Sequence, residues 1–359
     1  MDVLTDDQIR RTRAAANGLD RPFTGAGPDA VTDVVRRVAG VQAQTWTAAA
    51  LAVRARSSAT VWSDVDQARV ADRSVVRGWY QRGTLHLVAV DDLPWLLVAL
   101  RPAVEALLRR QRFAELGLDG ETRAAGRKRL LSELSGRGPL TRAEIGTSLA
   151  AAGLLAASTG QAVIHLIRDA ALHQEVCYGP DRDGKETWVA AADWLGPVGT
   201  TGRETALAEL AGRYLAAYGP ATAEDLAAWS GLPKPEAREA FTLRRDLVEV
   251  STPGGPMAML AGQETEVRPG EPRLIGEYDT YLLGHAGRGL VLDERFRRRI
   301  HPGGGLLRPA VVGPDGRVAG GWRFDRRRGA VDLEPFTGGA FTGGALDAEV
   351  ADVTRFCEL

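Results

Sequence analysis

The chain has 359 residues, 44% of them hydrophobic and 25% charged, and a formal net charge of −1. This length suits two to four small domains around a sizeable core, and the composition is that of a soluble globular protein. No apolar run approaches the ~18 residues of a membrane span, and the N-terminus "MDVLTDDQIRRTR" has no apolar export segment.

Cys177 and Cys357 lie far apart, and five isolated histidines form no metal-ligand spacing. No metal or other cofactor is therefore expected, and a reducing cytoplasm is the expected compartment. The near-neutral sum does not announce a nucleic-acid partner, but the charges are unevenly spread. Eight basic residues against four acidic ones fall between Arg101 and Arg129, and "ERFRRRIH" and "RFDRRRG" add clusters at 294–301 and 323–329. Such runs are either solvated faces or a basic stripe on a neutral molecule.

In chain order, "TDDQ" at 5–8 has the form of a capping box opening a first helix. A second helix is expected from Pro28 and Asp29. Val31, Val34, Val35, Val38 and Val41 follow the spacing of a buried stripe, weakened at Gly40. "TWTAAALAVRAR" resumes helical character, and "SVVRGWYQRGTLHLVAV" reads as a two-stranded hairpin about Gly83. The plan then repeats. Thr141 and Glu144 form another capping box, "STGQAVIHLIRDAAL" a second amphipathic helix, and Asp183-Gly184 the tip of a hairpin. A third copy has Thr222 and Asp225 at a helix start, a break at Ser230-Gly231, entry through Pro235, and the hairpin "LVEVSTPGGPMAML".

Helix, turn, helix and hairpin make a winged helix, so the expected class is α+β, mostly helical, with three tandem units over 1–130, 131–200 and 201–268 packed on one another. From 269 to 359 "EYDTYLLG", "LLRPAVVGPDGRVAGGWRF" and "RGAVDLEPF" read as short strands. A turn at Pro314-Asp315-Gly316 joins them into a β-rich, barrel-like domain.

"GVQAQ", "RGTLHLV", "AYGPATAEDLAAWSGL", "EYDTYLLG" and "GRVAGGWRF", in this order and spanning nearly the whole chain, resemble the landmarks of the AlkZ and YcaQ winged-helix DNA glycosylases. The resemblance implies a concave DNA-binding surface, a duplex containing an alkylated purine as partner, and hydrolysis of the glycosidic bond of that purine. It also implies unhooking of interstrand crosslinks by some members, and self-resistance beside antibiotic pathways. The family signature of Gln, an apolar residue, then Gln or Asp falls on Gln42-Ala43-Gln44, the form of the AlkZ branch. Ala43 is smaller than the residue the family often places there.

Two carboxamides suit such a reaction. An N7-alkylated guanine is already cationic and leaves as a neutral base, so placement of a water and electrostatics matter more than proton transfer. An amide offers one acceptor oxygen and two N–H donors. If the segment after Gly40 is extended, Gln42 and Gln44 face one way and Ala43 the core.

Arg82, Thr84 and His86 alternate in "QRGTLHLV", and on a strand they would form one row beside the glutamines, touching phosphate or the extruded nucleotide. Tyr278 and Asp279 match a family motif, and Asp279 is a candidate to orient a glutamine or the water, or to cap a turn. Arg295, Arg297, Arg298, Arg299, Arg326, Arg327 and Arg328 are candidate phosphate contacts. Trp79, Tyr80 and Trp322 are candidates to stack on a base or to fill the core. The rival account is a non-catalytic winged-helix DNA-binding protein or transcriptional regulator, which needs a base-reading helix and commonly a dimer. A monomer is expected for the glycosylase. A two-carboxylate sugar hydrolase finds no paired acidic motif.

Overall fold

The computed structural model describes residues 3–110, 113–155, 160–338, 341, 344 and 346–357. Thr5 closes a reciprocal capping box with Gln8 and starts the helix Asp6–Ala16. The helix Gly27–Arg37 follows, with Pro28 in its first turn, where a missing N–H costs nothing. Val31, Val34, Val35, Val38 and Val41 are all at most 1% exposed, and each buried valine contributes about 1.5–3 kcal/mol.

The chain then forms β1 (Val41–Gln42), the helices Trp46–Arg54 and Trp62–Val70, and the hairpin β2 (Val75–Trp79) and β3 (Leu85–Ala89). β3 lies between the other two, antiparallel to both. A three-stranded sheet thus backs the first helices.

The second unit carries helices Gly120–Arg137, Arg142–Ala151 and Gly160–Leu172, with β4 (Leu140–Thr141), β5 (Val176–Tyr178) and β6 (Thr187–Ala190) in the order β4-β6-β5. Asp183 and Gly184 both take positive φ at the hairpin tip, as that dipeptide favours. Ser158 and Thr159 of "STGQAV" lie outside the described residues. The third unit has helices Arg203–Tyr218, Ala223–Ser230 and Lys234–Leu243, then the hairpin β7 (Leu247–Val250) and β8 (Met257–Leu260). Gly231 ends the second of these helices in the left-handed conformation.

These units do not have separate interiors. One core joins Val76, Val88 and Leu96 of the first unit to Cys177 and Val189 of the second and to Leu207, Tyr214 and Trp229 of the third. The helix Leu93–Arg110 packs along Arg203–Tyr218 and is the bridge between the first and third units.

The C-terminal region departs from expectation in three ways. Its strands β9 (Arg273–Ile275), β10 (Ala310–Val312), β11 (Val318–Asp325) and β12 (Ala330–Pro335) form an antiparallel sheet in the order β12-β11-β10-β9, open among the described residues rather than closed as a barrel. "EYDTYLLG" is not a strand. It is a turn leading into the short helix Thr280–Leu283, because the Asp279 carboxylate accepts from Tyr281 N at 2.9 Å and starts the helix. Finally, a helix, Asp347–Cys357, closes the region, and its Val353 and Phe356 enter the valine core of the first unit together with Leu274 and Trp322. Trp79, Tyr80 and Trp322 are all buried core residues. No helix among the described residues is long and apolar enough to cross a membrane.

Candidate active site

The QAQ segment is delivered by a sharp exit from the helix Gly27–Arg37. Ala39 and Gly40 both take positive φ, at 53° and 99°. A Cβ at Gly40 would lie 3.1 Å from Val88 Cγ1 and 3.3 Å from the Leu87 carbonyl, and the positive φ adds strain for any other residue, so glycine is favoured at this approach to β3. Register then fixes the rest. Val41 pairs with Leu87, Gln42 with His86, and Ala43 N donates to the Leu85 carbonyl at 2.8 Å.

Val41 and Ala43 point into the core, both at 0% exposure, and Gln42 and Gln44 take the alternate positions. The small Ala43 fits because the valine core closes directly over it. Gln42 is buried and Gln44 exposed. Thr45 caps the helix that follows, its hydroxyl accepting from Ala48 N at 3.1 Å. Arg77 ties down the backbone between them, donating to the Ala43 carbonyl at 3.0 Å and the Gln44 carbonyl at 3.4 Å. The Gln44 side chain itself makes no hydrogen bond among the described residues and is free to meet a ligand.

Gln42 is held. Arg82 Nη2 donates to its Oε1 at 2.7 Å, and Arg82 Nη1 donates to the Trp229 carbonyl of the third unit at 2.6 Å. Arg82 therefore is not free to contact phosphate, as the alternating row would require. It also lies outside the strand. Residues Gln81–Gly83 make a single helical turn in which Arg82 has φ +56°, and β3 begins only at Leu85. Burial lowers the Arg82 guanidinium to about 10, so it stays cationic at neutral pH. The Thr84 hydroxyl donates within the same turn to the Gln81 carbonyl at 3.1 Å.

His86 is buried opposite Gln42, and its Nδ1 lies 3.0 Å from the Thr84 carbonyl. A carbonyl accepts only, so Nδ1 carries the proton and Nε2 is left as an acceptor. Burial, reinforced by the Arg82 charge, lowers His86 to about 3. It is a neutral imidazole and cannot serve as a cation toward phosphate.

Tyr278 sits half-buried at positive φ, and Asp279 is wholly buried. Both Asp279 oxygens bind Arg56, at 2.6 and 2.9 Å, and one of them also caps the following helix. Its carboxylate thereby holds Arg56 and the start of a helix, and no hydrogen bond joins it to either glutamine among the described residues. The supports behind the QAQ segment carry no local signal in the sequence. Gln81, fully buried, donates to the Ala39 carbonyl at 2.8 Å, and the Tyr218 hydroxyl donates to the Val38 carbonyl at 2.9 Å. "AYGPATAEDLAAWSGL" contains Tyr218, Trp229 and Gly231, the part of the third unit that meets this turn.

The basic residues divide by their partners. Arg295 is paired with Asp293, Arg297 with Glu294, and Arg328 with Asp325 and Asp332. Arg299 reaches the Pro335 carbonyl at 3.3 Å and lies over the Phe336 ring. Arg298, Arg326 and Arg327 are exposed, and their side chains form no ion pair among the described residues. Arg299 and Arg326 line, with Arg308, Arg323, Glu277 and Thr47, a cavity of about 890 Å³ between the C-terminal sheet and the helix that Gln44 precedes. Burial raises the Glu277 carboxyl there. Four arginines and two glutamates, Glu277 and Glu334, thus line this cavity, which reaches Thr47 three residues beyond Gln44 while Gln44 itself is not part of its lining.

Comparison with known proteins identifies the family. A family model described as DNA glycosylase AlkZ-like matches residues 35–356. An interstrand DNA cross-link repair glycosylase from Streptomyces sahachiroi is 31% identical, over 90% of each chain. The solved structure of the Streptomyces sahachiroi DNA glycosylase AlkZ superposes with a TM-score of 0.83 at 27% identity, covering 99% of this chain and 97% of that one. The chain belongs to the AlkZ-like DNA glycosylase family and is a DNA glycosylase.

Proposed function

We propose that this glycosylase is monofunctional and hydrolyses the N-glycosidic bond of N7-alkylated purines in duplex DNA. Bulky natural-product adducts, interstrand crosslinks or both are its substrates, in DNA repair or in self-resistance to a DNA-alkylating natural product. The crosslink assignment draws on the relative that is 31% identical, an interstrand DNA cross-link repair glycosylase. The N7 assignment rests on chemistry. A cationic purine departs as a neutral base without a general acid, leaving only a water to be placed against a sugar of oxocarbenium character.

The observation that supports the reading is the contrast between the glutamines: Gln42 is clamped by Arg82, while Gln44 is exposed with its amide unengaged among the described residues. Arg298, Arg326 and Arg327 are the phosphate contacts in this account, since their side chains form no ion pair among the described residues. The units 1–130, 131–200, 201–268 and 269–359 work as one concave platform, and the protein acts as a monomer in the cytoplasm, at the nucleoid when bound. Base reading by Gly160–Leu172 finds little support, because that helix buries Val163, Leu166, Ile167 and Ala170, which weighs against a regulator.

The test is incubation with a duplex carrying one N7-alkylguanine. Release of the free base with an alkali-labile abasic site is expected. An intact duplex after prolonged incubation with excess enzyme would overturn the reading.

A further inference from the structure

Of the two glutamines, Gln42 has its side-chain carbonyl already engaged. Arg82 is 2.7 Å from Oε1, and a guanidinium only donates. The amide orientation therefore follows from chemistry: oxygen toward Arg82, both Nε2–H bonds away from it. Arg82 cannot readily turn aside. Its second nitrogen is bound to the Trp229 carbonyl, its backbone is fixed at φ +56°, and Gly231 packs so closely that a Cβ there would lie 2.9 Å from Arg82 Cα. The Gln44 residue is exposed, and its amide has no such constraint among the described residues.

Resting on the glycosylase reading above, we infer that the two glutamines work with opposite polarity. Arg82 is a positioning residue that fixes Gln42 as a hydrogen-bond donor to an oxygen of the lesioned nucleotide. Gln44 supplies the carbonyl that accepts from the attacking water. In the step, a lone pair of that water forms the new bond to C1′ as the bond from C1′ to the purine nitrogen breaks. The departing electron pair cancels the charge of the alkylated base. The proton of the bound water passes to solvent, and Gln44 Oε1 orients the water without being protonated.

The two polarities predict opposite results for Gln42→Glu. A carboxylate donates nothing, yet pairs with Arg82 better than an amide does. If Gln42 is a donor, Gln42→Glu keeps or raises the melting temperature while single-turnover excision of N7-methylguanine falls about a hundredfold, the usual loss for one oriented donor. Gln44→Glu, which keeps an acceptor, falls at least tenfold less. Arg82→Lys, still a donor to Oε1, retains more activity than Arg82→Met, which has no donor, at equal DNA affinity, a rescue that a merely structural role would not give. Excision by Gln42→Glu equal to or above wild type would overturn the inference and leave the glycosylase reading intact. A wild-type protein without excision would overturn both.

Discussion

Arg56 and Asp279 face each other in a two-pronged ion pair, 2.6 and 2.9 Å long, with neither side chain exposed to solvent. Arg56 comes from the loop after the helix Trp46–Arg54, and Asp279 opens the short helix beyond β9, so the pair joins the first unit to the C-terminal region. Asn17 Oδ1 accepts from Arg56 as well, at 3.2 Å, tying in the end of the first helix. Removing one partner strands a buried charge. Asp279→Asn is expected to lower unfolding free energy by about 3–5 kcal/mol, read from urea denaturation, with loss of activity tracking loss of folded protein. A stable Asp279→Asn protein that binds DNA but does not excise would instead give Asp279 a part in the chemistry.

His86 makes stability depend on acid. Its folded value of about 3 lies below its unfolded value near 6.5, so within that window the unfolded chain holds the extra proton. Stability therefore rises with pH through the window and is lost as pH falls, at up to about 1.4 kcal/mol per pH unit. Above pH 7 both states are neutral, and the contribution no longer changes. Denaturation midpoints from pH 4 to 7 should show a shallower slope for His86→Gln than for wild type. Parallel slopes would mean that the imidazole is charged in the fold.

The arginines should separate by their pairing. Neutralising Arg298, Arg326 or Arg327 removes a charge with no ion-pair partner among the described residues, and each is expected to weaken duplex binding and flatten the slope of log affinity against log salt by about 1. Arg295 and Arg328 already face carboxylates, so Arg295→Gln and Arg328→Gln should change the slope less. Titrations at several salt concentrations decide this. Equal slopes for all five variants would remove the distinction.

Local rules carried much of the architecture. Capping boxes at Thr5, Thr141 and Thr222 and the glycine turns at 184, 231 and 316 lie where the sequence puts them. Each is decided within a few residues, by one hydroxyl or one positive φ. The alternation that sends Ala43 inward was legible for the same reason. The clamp on Gln42 was not. Arg82 reads as part of a strand, and its partners lie 40 and 147 residues away. Nothing local reveals that the third unit's Trp229 and Gly231 close upon that turn. Asp279 shows the same limit, since its partner Arg56 is 223 residues distant. The helix Asp347–Cys357 was hidden by the β-rich texture before it, and its burial depends on a valine core built far upstream.

The central claim is that an exposed carboxamide on the QAQ segment performs chemistry and does not merely grip DNA. The most direct measurement pairs single-turnover excision of N7-methylguanine from duplex DNA with affinity for the same duplex, in wild type and Gln44→Ala. The account predicts a fall in excision of about a hundredfold, the scale of a misplaced reactant, with affinity unchanged because Gln44 carries no charge and props up no neighbour. Equal excision rates for the two proteins would contradict it.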